Sequence, residues 1–98
     1  MEIKREQIGT TLVISLKGHL DTNSAPLLHE DLMKNVLDGV KELYWDFSEL
    51  NYLTSAGIRE LLIADNMLGD DAQMKVLHAN DAIRNAFNLT GLDSMLGI

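Results

Sequence analysis

Six residues in the middle of the chain, "ELYWDF" from Glu42 to Phe47, leave few options for the fold. They are aromatic-rich and apolar on both faces, as expected of an interior strand covered on both sides. Segments of helical period flank them. In "LDTNSAPLLHEDLMKNVLDG", Ser24 stands where an N-cap belongs, Pro26 lies in the tolerant first turn and Gly39 stands near the end. Leu28, Leu32, Val36 and Val40 recur every four residues as one buried stripe, which leaves His29, Glu30, Asp31 and Lys34 largely on the wet side. After the strand, "SAGIRELLIADNML" brings Ile58, Leu61, Leu62 and Leu68 onto one helical face, and Gly69 with two aspartates ends it. A strand reached and left through helices is joined to its neighbours by crossovers, and crossovers make parallel pairs.

The remaining segments complete the pattern. "MEIKREQI" and "TLVISLKG" read as two strands meeting at Gly9-Thr10, with Leu12, Ile14 and Leu16 alternating onto one face, so a hairpin opens the chain. "QMKVLH", Gln73 to His78, is another strand; "NDAIRNAFNLTGL" is a helix that starts near Asn80 and stops at Gly91; "SMLGI" is a possible last edge strand. The expected fold is α/β, a mixed and mostly parallel sheet of four to five strands with about three helices. Residues 1–98 are read as one domain with one core, since a chain of 98 residues has room for no more.

Composition removes several functions. The net charge of −7 has the wrong sign for phosphate backbones and anionic lipid surfaces, so no nucleic acid partner is expected. No run approaches the ~18 apolar residues of a membrane span, and "MEIKREQIGT" lacks the apolar core of a signal peptide. No direct membrane insertion is expected, and a cytoplasmic location is. Cysteine is absent, which excludes thiolate metal sites, and His19, His29 and His78 are scattered over different elements; neither a metal nor a cofactor is expected. GxSxG, GxxxxGK[ST] and GxGxxG are all missing, so the chain is read as a binding protein and not an enzyme.

Crossovers collect strand carboxyl ends and helix amino termini on one side of the sheet. Two loops are expected there, Gly18 to Ser24 and Phe47 to Ser55, forming one shared surface built from "GHLDTNS" and "SELNYLTSAG". The second carries adjacent hydroxyls, Thr54 and Ser55. Serine and threonine at such positions commonly cap a helix; alternatively, one is exposed where a phosphate is tolerated, because a helix amino terminus favours negative charge. Gly57 permits close approach of backbone or partner at the first helical turn. Arg59, one turn beyond Ser55, is placed to steady a phosphate, to contact an acidic partner or to stand as a solvated charge. Asp21 in "DTNS" is by itself ordinary turn chemistry.

"GHLDTNSAPLL", "LYWDFSELNYLTSAGIRELL" and "KVLHANDAIRNAFNLTGL" together resemble the successive signatures of a STAS domain, in particular of the bacterial anti-sigma-factor antagonists, from about Thr11 to Leu92. Three motifs in order make the resemblance specific. In that family the loop ends Asp-Ser-Ser/Thr-Gly-Leu-Gly and its first serine is the phosphoacceptor; the spacing to Gly57 carries that role onto Ser55. The resemblance also implies a partner-binding surface of Asp21, Thr22, Asn51, Thr54, Ser55, Ala56, Gly57 and Arg59. Thr54 replaces the usual aspartate, Ala56 the second hydroxyl residue and Arg59 the later glycine; some relatives carry a Ser-Ser-Ala-Gly-hydrophobic-Arg version. Members often continue beyond the point matching Ile98, which implies an open sheet edge or helix face here.

The implied partner is an anti-sigma factor with serine kinase activity, with a serine phosphatase to reverse the modification. The unmodified antagonist binds the kinase and frees the sigma factor; phosphorylation ends that binding. The competing implication is a STAS module that is never phosphorylated and serves as regulatory subunit of a membrane transporter or of a stress-signalling assembly.

Overall fold

The computed structural model describes residues 1–35, 37 and 39–91. Strand β1 (Glu2–Ile8) turns into β2 (Thr11–Leu20); α1 (Ala25–Lys34), β3 (Glu42–Leu53), α2 (Ser55–Met67), β4 (Gln73–Leu77) and α3 (Asp81–Thr90) follow. The four strands form one sheet in the order β1-β2-β3-β4. β1 pairs with β2 antiparallel, while β2 with β3 and β3 with β4 are parallel. The hairpin and the mixed, mostly parallel sheet are as the sequence implied. The segment 94–98, expected as a fifth strand, lies outside the described residues.

The strand order decides where the core sits. Successive right-handed crossovers stepping the same way across a sheet lay their helices on the same face. Rows of register-matched apolar residues accordingly line one face: Leu12 with Leu43 and Met74, then Ile14 with Trp45 and Val76. All six are buried, together with Leu28 and Leu32 of α1, Leu61 of α2, and Ile83 and Phe87 of α3. The opposite face of β3 bears Tyr44 and Asp46, which are only half-buried. The expectation that β3 is covered on both sides is therefore not met among the described residues. It is an interior strand, but no helix among the described residues packs on its second face, and an aspartate there keeps its access to water.

Helix ends also differ from the expectation. α1 stops at Lys34, well before Gly39. Val40 is buried but lies beyond the helix, and Val36 is outside the described residues. An ion pair of 2.6 Å between Arg5 of β1 and Asp31 of α1 fastens the hairpin to this helix. α3 matches its reading closely: Asn80 caps it through its side chain, and Gly91 ends it at φ 71°, a left-handed conformation that glycine adopts without strain.

Candidate functional site

Strand β3 does not end at Phe47 as its aromatic run suggests; it continues through Glu49 and Asn51 to Leu53. The continuation is held by β2, where His19 pairs with Tyr52 and Leu20 with Leu53 after two register shifts. Those irregularities break the apolar alternation that identifies strands, so the sequence read a loop. The consequence is a rigid edge under the site: both strand ends arrive side by side, and the Thr54 N–H donates to the Leu20 carbonyl at 3.0 Å. The predicted meeting of the "GHLDTNS" and "SELNYLTSAG" segments is thus realised through the β2–β3 ladder and this further main-chain bond.

On the first side, Asp21 organises its turn. Its Oδ1 accepts from the N–H groups of Asn23 and Ser24, each at 3.0 Å. The Ser24 hydroxyl accepts from the Asp21 N–H at 2.9 Å and donates to the His19 carbonyl at 2.7 Å. Ser24 occupies the N-cap position of α1 but makes no capping bond, because its hydroxyl is used in this turn. The Ser24 amide above all holds the Asp21 carboxyl below its ordinary range; desolvation opposes it, and the Ser24 hydroxyl, the Asn23 amide and His19 reinforce it. Asp21 therefore shapes this surface, while Thr22 is exposed beside it. The rings of His19 and Tyr52 stack at 4.8 Å along the rim.

On the second side, the two hydroxyls part company. Thr54 is the N-cap residue of α2, yet its side chain makes no capping bond, and its Oγ1 is buried with no hydrogen-bond partner among the described residues. Ser55, the first helical residue, is exposed. Because the cap is unused, no acceptor among the described residues takes the amides of Ser55, Ala56 or Gly57; a helix start in that condition favours an anion. Asn51 is exposed on the adjoining strand, and its carbonyl accepts from Asn80 Nδ2 at 2.9 Å, which ties the start of α3 to the same edge.

Gly57 is buried and its missing side chain would point inward. A Cβ there would lie 2.6 Å from Leu20 Cγ and 3.0 Å from the Leu20 carbonyl oxygen. The close approach expected of this glycine is to the protein's own backbone. It sets the start of α2 against the end of β2.

A groove of about 600 Å³ runs between α1 and α2 beside these residues. Ala25, Pro26, Met33 and Ala56 supply apolar walls, and Thr22 and Arg59 stand at its rim. Sequence reasoning missed its floor. Glu60 is buried, 8 % exposed, with its Oε1 2.8 Å from His29 Nδ1 across the two helices. A charged residue inside the apolar period of α2 was the available signal. Among the described residues no group of three or more acidic or histidine side chains is arranged to hold a metal ion, and no helix is long and apolar enough to cross a membrane.

The strand ends and the start of α2 form a polar edge beside an open apolar groove, which defines the class as an α/β domain with its candidate site at one end of the sheet. Comparison places it further. The chain matches the STAS domain model over residues 2–98 and belongs to that family. It is 26 % identical over 86 residues to the anti-sigma-B factor antagonist of Staphylococcus aureus, covering 87 % of this chain and 80 % of the relative. An anti-sigma factor antagonist from Mycobacterium paratuberculosis superposes with a TM-score of 0.84 at 29 % identity, over 95 % of this chain and 80 % of that one. The antagonist SpoIIAA in its unphosphorylated form superposes with a TM-score of 0.83 at 22 % identity, over 96 % and 84 %.

Proposed function

We propose that the chain is an anti-sigma factor antagonist. Its unmodified form docks an anti-sigma factor with serine kinase activity on the surface around Asp21, Thr22, Asn51 and Ser55, which releases the sigma factor. Phosphorylation of Ser55 ends the docking, and a serine phosphatase restores it. Such a switch works where ATP and the transcription apparatus are, in the cytoplasm.

The carrying observation is the contrast between neighbours: Ser55 is exposed at a helix start with unclaimed amides, whereas the Thr54 hydroxyl is buried. A phosphoserine brings about −1.5 to −2 charge and three acceptor oxygens. At the first position of α2 the domain accommodates them. A partner packed over Ser55 would have to desolvate that charge, and about 2.7 kcal/mol of penalty already weakens binding roughly a hundredfold. Local exclusion is enough, without a second conformation.

The test is to incubate the protein with ATP and a cognate anti-sigma factor serine kinase, map phosphate by mass spectrometry with Ser55→Ala as control, and measure complex formation by calorimetry. One phosphate on Ser55 and a loss of affinity of about a hundredfold are expected. Phosphate that persists in Ser55→Ala, or never appears, would favour the alternative of an unphosphorylated module serving a transporter or a stress-signalling assembly.

A further inference from the structure

The charges in the groove between α1 and α2 are unevenly satisfied. Glu60 on its floor is engaged by His29, and Glu30 at its edge is paired with Lys34 at 2.9 Å. Arg59 is exposed, lines the same groove, and makes no ion pair among the described residues. With both groove carboxylates engaged, a guanidinium unpaired among the described residues, at the lip of an apolar trough, is locally complementary to a segment with apolar side chains for the trough and a carboxylate for the cation. Ser55 and Arg59 are four residues apart on one helix and therefore on one face. A phosphate on Ser55 comes within reach of the same guanidinium.

We propose that this groove receives an apolar, acidic segment of the partner protein, that Arg59 anchors its carboxylate, and that phosphoserine at position 55 takes Arg59 away from it. The inference rests on the docking surface proposed above and adds a specific anchor and a second consequence of phosphorylation. The modified residue then excludes its partner by charge and also occupies the cation the partner needs. Arg59 suits both roles because its planar fork binds carboxylate and phosphate alike in bidentate fashion.

Two measurements test it without requiring the natural partner. A helical peptide of about 14 residues carrying two leucines four apart and one glutamate is titrated into the ¹⁵N-labelled protein, alongside the same peptide with glutamine for glutamate. Shifts confined to Thr22, Ala25, Ala56 and Arg59, about fivefold weaker binding of the glutamine peptide and no such difference with Arg59→Gln are expected. Equal affinity of the two peptides for the parent protein, or shifts on the opposite face of the sheet, would overturn the anchor. Second, the protein carrying phosphoserine at 55, installed by genetic encoding, is followed by ³¹P NMR. Its phosphate should titrate at lower pH than in the Arg59→Gln background, since a nearby cation favours the dianion, and should weaken the glutamate peptide while leaving the glutamine peptide's residual binding nearly unchanged. Identical phosphate titrations in the two backgrounds would refute the withdrawal of Arg59. A glutamate-selective groove in a protein that the kinase never modifies would sink the proposed switch and leave the anchor standing; a Ser55-specific kinase with peptides bound alike would do the reverse.

Discussion

At position 57 the smallest side chain is required by contact and not by backbone conformation. Replacing Gly57 with alanine forces Cβ into Leu20, including its carbonyl oxygen, which cannot rotate aside. The better helix propensity of alanine recovers ~1 kcal/mol at most. A net loss of about 1–2 kcal/mol is expected in urea denaturation, with Ala56→Gly as the comparison for helix propensity alone. Thr54 behaves in the opposite way: its buried hydroxyl has no partner among the described residues, so Thr54→Val should leave stability unchanged or raise it by up to about 1 kcal/mol. Asp21 gives a pH test. Its folded carboxyl titrates below the ordinary value of 3.8, so the stability it contributes is complete above that value and is lost as pH falls through the lower folded value. Asp21→Asn should therefore flatten the denaturation midpoint against pH below about 4 and leave its shape above pH 5 alone. The sequence marked both hydroxyls and the aspartate, but neither which hydroxyl was buried nor that Gly57 met Leu20. Those facts belong to contacts between residues about 35 apart, to which local patterns are blind.

Among the elements, α3 and the far end of β3 share one fastening. Asn80 Oδ1 accepts from the Ile83 N–H at 3.0 Å while its Nδ2 donates to the carbonyls of Leu50 and Asn51. Asn80→Ala should cost about 1–2 kcal/mol and raise hydrogen exchange both in the first turn of α3 and around Leu50. Asn80→Asp keeps the acceptor and loses the donors, so protection should fall mainly on the strand side. Legibility follows the same division. α3 was readable because its cap, its apolar spacing at Ile83 and Phe87 and its terminal glycine all agree. The end of β3 was not, because Glu49, Asn51 and Tyr52 are exposed and the register shifts opposite Lys17 and Gly18 destroy the two-residue period. α1 ended early for a related reason: a four-residue recurrence counts apolar residues, among them the buried Leu28, Leu32 and Val40, without asking whether one helix carries them.

For the molecule as a whole, the one-sided arrangement of helices makes adjacent residues unequal. Ile14 is 0 % exposed among the core residues, whereas Val13 beside it faces the uncovered side and is half-buried. Ile14→Ala should lose about 2–5 kcal/mol and Val13→Ala less than about 1 kcal/mol, read as separate midpoints in guanidinium. The sequence carried the alternation but not which face the described helices cover, since a strand rich in aromatic residues looks the same whether one or both of its faces are roofed. The same geometry gathers the turn at Asp21, the exposed Ser55 and the groove mouth at one end of the sheet, all braced on Leu20, which accepts from Thr54 and fills the notch left by Gly57. A genetic selection that scores only association would thus rank Leu20 with the residues of the proposed docking surface, although its own side chain is sealed from solvent. Sorting the survivors by folded yield would separate the brace from the contacts.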